Sequence, residues 1–175
     1  TRRDTGHVDP SMRPRKEQYD YYIAMVQFGV RVGWDQAQIV ADGPFLMADP
    51  GITFILLRAH EDLIVLGDAL GEDTSDIADW AATLRAALPE IWNPAIGAYD
   101  AKNLRDGQFA NVLGSGALLA YVADAGTPAL DDQLMRVWDA VTYGVPSADP
   151  HHEAFDARRY WRGPSWPFLN ALIAV

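Results

Sequence analysis

The segment of residues 52–70, ITFILLRAHEDLIVLGDAL, constrains the fold more than any other part of the sequence. Its apolar residues recur at helical spacing over a wide arc: Ile52, Ile55, Leu56, Ala59, Leu63, Leu66 and Leu70 on one face, flanked by Leu57 and Ile64. A helix with so broad an apolar surface packs against neighbours on more than one side. The pair Asp49-Pro50 is a typical start signal, and Gly71 is a typical C-terminal cap. The sequence therefore predicts a helix covered by several neighbours.

The other apolar patterns predict an all-α protein with one small β element. Helices are predicted for residues 19–32, 76–88 and 115–124, after the Thr127-Pro128 start signal, and from about Trp166 onward. The stretch GAYDAKNLRDGQFA predicts a short β-hairpin or an ordered loop, because Asp106-Gly107 is a strong turn signal. Stacked helical hairpins of this kind occur in solenoids and in α/α barrels. The long irregular segments 34–50 and 143–164 favour a barrel that carries a site.

Composition narrows the class of protein. The 175 residues suffice for one domain, and the net charge of −10 argues against a nucleic-acid partner. No apolar run reaches the roughly 20 residues of a membrane span, so no membrane partner is expected. Cysteine is absent, which suits a cytoplasmic location. The sequence begins at Thr1 without Met and stops inside the apolar run FLNALIAV, so we expect an internal fragment.

The patterns of metal and nucleophile sites are missing. His151 and His152 are adjacent and cannot share a helix face, and His60 lacks the HExxH pattern. There is no nucleophile elbow and no phosphate-binding glycine loop. Asp4, Asp9 and Asp149 are candidate carboxylates, but an Asp-Pro pair such as Asp149-Pro150 commonly only builds a turn. No metal and no cofactor are predicted, and chemistry alone does not identify a catalytic acid.

The stretch YWRGPSWPFLN places rigid aromatic surface beside a guanidinium. Tyr160, Trp161 and Trp166 could form a platform for a sugar, with Arg162 reading its oxygens. The same residues could also form an aromatic helix start, with Pro164 and Pro167 setting the turn. Both interpretations fit this stretch when it is taken alone.

The stretch RPRKEQY suggests an anion clamp. Pro14 restricts the backbone of Arg13, and Tyr19 follows near a helix start. A fixed guanidinium and a phenol can hold a carboxylate through charge-assisted hydrogen bonds. The alternative is that Arg13 merely pairs with a neighbouring acidic residue.

Five motifs in order resemble one enzyme family. RRDTGHVDPSMRP, YDYY, GPFLMADPGITFILLRA, IWNPAIGAYDAKNLRDG and FDARRYWRGPSWPFLN together resemble the glucosylglycerate and mannosylglycerate hydrolases, relatives of the family 63 glycoside hydrolases. The resemblance spans the whole chain, and the glucosylglycerate-type enzymes look most similar. It implies a partial (α/α)6 barrel of stacked helical hairpins with a short β-hairpin insertion, residues 1–175 being part of one catalytic domain.

The resemblance also implies a chemistry and a set of binding residues. The family hydrolyses its substrate with inversion of configuration at the anomeric carbon. One carboxylic acid protonates the glycosidic oxygen, and a carboxylate on the other face activates water. The family's RPxxxxY pair falls on Arg13 and Tyr19, which would hold the glycerate carboxylate. Its YWRGPxW motif falls on Tyr160, Trp161, Arg162 and Trp166, which would form the sugar-side wall.

Neither catalytic carboxylate of the family is present in this chain. The family's general acid lies in a motif upstream of RRD, and its base is a Glu beyond the YWRGP helix. We therefore expect part of an inverting α-glycosidase for a small anionic glucoside such as glucosylglycerate, inactive in isolation and able to form a homo-oligomer when complete. One alternative is a hydrolase of another α-glucoside or α-mannoside, in which Arg13 is structural. The other is a catalytically inactive helical module that binds a glycan or a protein.

Overall fold

Helices make up most of this computed structural model, which describes residues 6–7 and 9–174. The opening RRDT of the first motif, including Asp4, and the final Val175 lie outside the described residues. In chain order the elements are α1 (Lys16–Arg31), α2 (Gln36–Asp42), β1 (Met47–Ala48), α3 (Pro50–Leu70), α4 (Ser75–Ala87), β2 (Trp92–Asn93), β3 (Ala98–Tyr99), β4 (Lys102–Asn103), α5 (Ser115–Leu118), α6 (Pro128–Trp138) and α7 (Pro167–Ile173). Short 3-10 segments cover Pro10–Met12, Leu88–Ile91 and Leu119–Ala123.

The long helix α3 is the centre of the core, as its apolar arc predicts. The Asp49 side chain caps its start by accepting from the Ile52 N–H at 2.9 Å, and Gly71 ends it in the left-handed conformation, φ 72°. Phe54 and Leu57 are fully buried. α3 packs against α4, α5 and the 3-10 segment 119–123, so it has neighbours on more than one side.

The starts of α3, α5 and α7 lie at the same end of the molecule. Gly51 and Gly116 bring α3 and α5 so close that a Cβ on Gly116 would lie 3.1 Å from the Gly51 nitrogen. The segments before α5 and α7 are joined through residues 146–148, because Gly114 bridges Ala148 and Pro146 bridges Ser165. The loops that precede these helices are therefore neighbours.

The β structure is small and more extensive than the sequence predicted. β1 pairs antiparallel with β4, and β2 pairs antiparallel with β3. The expected turn at Asp106-Gly107 is present, with Gly107 at φ 75° and a bridge between Lys102 and Phe109. The fold class is thus confirmed in its coarse form: mostly helical with small sheets.

The segment 34–50, predicted to be a long loop, contains the short helix α2. Asp35 caps it by accepting from the Gln38 N–H at 3.1 Å. Seven residues are too few to display a helical period, which is why the sequence pattern missed it. Within the described residues, no helix combines the length and the apolar character needed to cross a membrane.

Candidate functional site

The loop of residues 156–163 is closed by its own backbone. The Asp156 N–H donates to the Arg162 carbonyl at 2.9 Å, and the Arg159 N–H donates to the Asp156 carbonyl at 2.9 Å. A Cβ at Gly163 would overlap the Asp156 carbonyl oxygen, so only glycine fits there. The Gly163 N–H donates to the buried Ser147 hydroxyl at 2.9 Å, which ties the loop to the segment before it.

Four aromatic rings cluster on this loop and on the start of α7. Tyr160 and Trp166 have ring centroids 4.3 Å apart, and Trp161 and Trp166 5.3 Å apart, with Phe168 beside them. The Trp166 indole donates to the Tyr160 carbonyl at 3.0 Å. Trp166 is half-buried against the core, whereas Tyr160 and Trp161 are 56% and 59% exposed. The outer two rings thus contact Trp166 while more than half of each residue's surface remains exposed.

The segment around Arg13 meets this loop directly. The Arg13 carbonyl accepts from Arg159 Nη1 at 3.2 Å. Arg13 and Tyr19 are both half-buried, and the Tyr19 ring stands edge-on to Tyr22 at 6.0 Å.

A cleft of about 420 Å³ separates the two segments. One side, called here the helical wall, comprises Pro14, Arg15, Gln18 and Tyr22 at the start of α1. The other side, called here the aromatic wall, comprises Arg159, Tyr160, Trp161 and Arg162. Exposed aromatic rings and guanidinium groups therefore line one cavity, as recognition of an anionic sugar derivative requires.

Three of the residues that the sequence singled out line this cleft, and three lie next to it. Tyr160, Trp161 and Arg162 are on the aromatic wall. Trp166 supports that wall from behind, and Arg13 and Tyr19 belong to the segment and helix that form the helical wall.

The sequence reasoning did not select the other lining residues. Arg15, Gln18 and Tyr22 recur at helical spacing, so the pattern in RPRKEQYDYY could have placed them on one face. Arg159 gave no signal, because its partner Arg13 is 146 residues away in the sequence.

The candidate carboxylates within the described residues hold turns and ion pairs. Asp9 accepts from the Ser11 N–H at 2.8 Å, and this backbone hydrogen bond holds the pKa of Asp9 below its ordinary value. Asp149 forms a two-pronged pair with Arg136, at 3.1 and 2.6 Å, and accepts from the His151 N–H. Burial opposes ionisation of Asp149, but the bonds from Arg136 and His151 outweigh it, so its pKa lies below the ordinary value.

A buried carboxylate lies near the starts of α3 and α5. Asp100 is 2% exposed, and its Oδ2 accepts from Asn93 Nδ2 at 2.9 Å and from the Asn111 N–H at 2.7 Å. These bonds cross-link the hairpin β2–β3 to the segment before α5. Across residues 6–7 and 9–174, no three His, Cys, Asp or Glu side chains gather where a metal ion could be held.

Comparison with known proteins identifies the relatives of this chain. Residues 2–175 match the family described as the mannosylglycerate hydrolase MGH1-like glycoside hydrolase domain. The chain is 36% identical over 179 residues to mannosylglycerate hydrolase MGH1 of Selaginella moellendorffii, covering 99% of this chain and 37% of that protein. It is 27% identical to the glucosylglycerate hydrolase of Mycolicibacterium hassiacum, covering 95% of this chain and 40% of that protein.

A solved structure shows the same fold. The crystal structure of a GH63 mannosylglycerate hydrolase from Thermus thermophilus, in complex with Tris and D-glycerate, superposes with a TM-score of 0.92 at 34% identity. The match covers 99% of this chain and 43% of that protein. The chain therefore spans well under half the length of these relatives. Sequence identity is higher to the mannosylglycerate hydrolase than to the glucosylglycerate hydrolase, contrary to the expected order of similarity.

Proposed function

Because this chain belongs to the mannosylglycerate hydrolase MGH1-like glycoside hydrolase domain family, we propose that it is part of an inverting α-glycosidase acting on a glycoside of glycerate. One observation carries the proposal: exposed, rigidly supported Tyr160 and Trp161 share a cleft with three arginines. Aromatic faces suit the C–H groups of a sugar ring, and guanidinium groups suit a carboxylate. The parent protein is proposed to be cytoplasmic, with the described helices forming part of its (α/α)6 barrel.

The aromatic wall and the residues beside the helical wall have different roles in this proposal. Tyr160, Trp161 and Arg162 bind the sugar, and Trp166 keeps the two exposed rings in place through its hydrogen bond to Tyr160. Arg13 and Tyr19, which lie next to the cleft on the side of the helical wall, bind the glycerate carboxylate. A two-pronged guanidinium–carboxylate pair gives both strength and orientation, which a neutral aglycone cannot exploit.

The two catalytic carboxylates are proposed to lie in parts of the parent outside this chain. An inverting glycosidase places them roughly 6.5–9.5 Å apart, with water between the base and the sugar. The acid protonates the leaving oxygen while the base deprotonates the water that attacks from the opposite face. This reaction requires no cofactor. The residues of this chain orient the substrate between the two groups.

Glucosylglycerate is the substrate predicted from the sequence, and the comparisons favour mannosylglycerate as a second candidate. The higher identity to a mannosylglycerate hydrolase is the observation that favours mannose. The two sugars differ only in the orientation of the hydroxyl at carbon 2.

The test uses the full-length parent protein. We expect it to release sugar from glucosylglycerate, mannosylglycerate or both, and to act poorly on a neutral methyl α-glucoside. Proton NMR of the first product should show the β-anomer, as inversion demands. Initial release of the α-anomer would refute the mechanism, and equal rates on neutral and anionic substrates would refute recognition of glycerate.

A substitution at Arg13 tests the anion site itself. Arg13→Lys replaces a two-pronged fork by a point charge, so binding of the anionic substrate should weaken by about 1–3 kcal/mol. KM for the glycerate-bearing substrate should rise while the neutral glucoside is barely affected. An equal loss on both substrates would make Arg13 structural. Complete inactivity of the parent, combined with glycan binding, would instead favour a helical binding module.

A further inference from the structure

The main chain of Arg13 is restrained at both of its polar groups. Its N–H donates to the Pro10 carbonyl at 3.2 Å, and its carbonyl accepts from Arg159 Nη1 at 3.2 Å. Pro14 follows, and the backbone of Arg13 is extended, with φ −104° and ψ 156°. The origin of the Arg13 side chain is thus fixed before any ligand binds.

Arg159 is itself held rigidly where it leaves the backbone. Its N–H donates to the Asp156 carbonyl at 2.9 Å, and its carbonyl accepts from the Arg162 N–H at 3.0 Å. Its Nε lies 3.6 Å from Asp156 Oδ2, and the side chain is 29% exposed. Because its backbone is hydrogen-bonded and its side chain is half-buried, Arg159 loses little conformational entropy when its guanidinium makes one more hydrogen bond.

The bond between Arg159 and Arg13 connects the two sides of the cleft. Arg159 belongs to the loop that Gly163 anchors to Ser147, whereas Arg13 belongs to the segment leading into α1. The bond spans 146 residues of sequence. The bond therefore couples the position of the Arg13 backbone to the position of the loop.

We propose that Arg159 is a positioning residue that fixes the Arg13 main chain and thereby the direction of the Arg13 guanidinium. This inference rests on the proposed function, in which Arg13 binds the substrate's carboxylate. In addition, the loop that carries the sugar-binding rings sets the distance between the site that binds the sugar and the site that binds the anion. A ligand with both groups is then measured against a fixed spacing.

The consequence for catalysis is a selective one. Without the Arg159 bond, the Arg13 segment loses a long-range hydrogen bond to the loop. The Arg13 guanidinium then adopts the geometry that binds the substrate's carboxylate for a smaller fraction of the time. Loss of one hydrogen bond that orients a charged partner corresponds to a change of about 10-fold in affinity. The change should appear in KM for the anionic substrate, since the reacting bond is handled by the catalytic carboxylates.

The experiment compares two neighbouring arginines in the full-length parent. Arg159→Ala removes the arm, and Arg158→Ala removes the same charge one position away, from an exposed side chain. Arg159→Lys retains one donor and should recover part of the loss. Each variant is assayed on the glycerate-bearing substrate and on the neutral glucoside, with thermal unfolding recorded in parallel. Arg13→Lys and the Arg13→Lys/Arg159→Ala double variant complete a mutant cycle.

We expect Arg159→Ala to raise KM for the anionic substrate about 10-fold with kcat and the neutral substrate nearly unchanged. Arg158→Ala should resemble the wild type, and Arg159→Ala should add little in the Arg13→Lys background. The inference would be overturned if Arg159→Ala and Arg159→Lys both had the same KM values as Arg158→Ala. Full additivity of the Arg13→Lys and Arg159→Ala effects, or equal losses on both substrates, would overturn it as well. Equal rates of the wild-type parent on the glycerate-bearing and the neutral substrate would refute the proposed function itself, whatever the variants show.

Discussion

The two walls of the cleft are attached to the molecule in different ways. The aromatic wall continues into α7, where Leu169 is buried in the core. Asn170 on α7 accepts from the Val145 N–H at 2.5 Å and donates to the Val145 carbonyl at 2.9 Å, which fixes the neighbouring segment. The helical wall lies at the start of α1. Among the described residues of α1, only Gly29 is buried. Several large side chains of α1 are exposed instead: Tyr21, Tyr22, Ile23, Val26 and Val30.

This contrast separates stability from binding. A change in the supports of the aromatic wall, Trp166 and Gly163, disturbs contacts that also hold α7 and residues 145–148, so it should affect unfolding and activity together. A change in an exposed ring of that wall should affect activity alone. A change in the helical wall touches few core contacts, so it should affect ligand binding more than unfolding.

The 175-residue chain alone should be inactive and should associate in solution. The family's catalytic carboxylates are proposed to lie outside it, and the apolar side chains of α1 are exposed, as are Ile52, Val65 and Leu70 on α3. The measurement is sugar release together with mass by light scattering, for this chain and for the parent. A monodisperse, active monomer would show that the site is complete here and that these exposed faces need no cover.

Gly163→Ala should damage the aromatic wall most. The added Cβ overlaps the Asp156 carbonyl, so the loop must open, at a cost of about 1–3 kcal/mol in unfolding free energy. Because the rings then move, kcat/KM of the full-length parent should fall by roughly 100-fold. Gly114→Ala is the matched control, since its Cβ would lie 3.7 Å from the nearest atom at a negative φ. Similar losses in both variants would argue against a special role for the loop.

In the full-length parent, Trp161→Ala should reduce kcat/KM while leaving the melting temperature nearly unchanged. Its ring is 59% exposed, so its proposed contribution is contact with the sugar, worth about 1–2 kcal/mol or roughly 10-fold in kcat/KM. Trp138→Ala, at 51% exposure on α6, is the control for loss of an exposed indole. Trp166→Ala should lower both activity and the melting temperature, because this ring packs on the core and behind Tyr160. A Trp161→Ala variant as unstable as Trp166→Ala would contradict the distinction.

The sequence predicted what depends on local pattern and missed what depends on distant contacts. The cap Asp49, the terminator Gly71 and the Thr127 cap of α6 are confirmed, because each acts within one helical turn. The aromatic stretch was recognised because its composition is unusual. Whether its residues, with Arg13 and Tyr19, bind substrate stays a prediction.

The contacts that build the cleft are of the other kind. The bonds from Gly163 to Ser147 and from Arg159 to Arg13 join residues that no local pattern relates. From the sequence, Asp149 is a candidate catalytic carboxylate. In the structure it forms an ion pair with Arg136 on α6, and this pair anchors the segment beside the aromatic wall.

The smallest effect is a dependence of stability on pH that should differ between the segment beside the aromatic wall, which contains Asp149, and α1, which carries the helical wall. The folded-state pKa of Asp149 lies below 3.8, since its bonds to Arg136 and His151 outweigh the cost of burial. Its ionised form therefore stabilises the fold above that ordinary value, and the contribution is lost as the pH falls from 3.8 through the lower folded value. Asp149→Asn should lower stability by at most about 1 kcal/mol near pH 6, since Arg136 remains partly solvated. The difference from wild type should shrink below about pH 4 in thermal unfolding curves. Asp20→Asn is the matched control on α1: its pair with Lys16 is exposed, so the melting temperature should not change. An equal shift for both variants would mean that α1 is anchored as firmly as the segment of Asp149 beside the aromatic wall, and the contrast between the two sides of the cleft would fail.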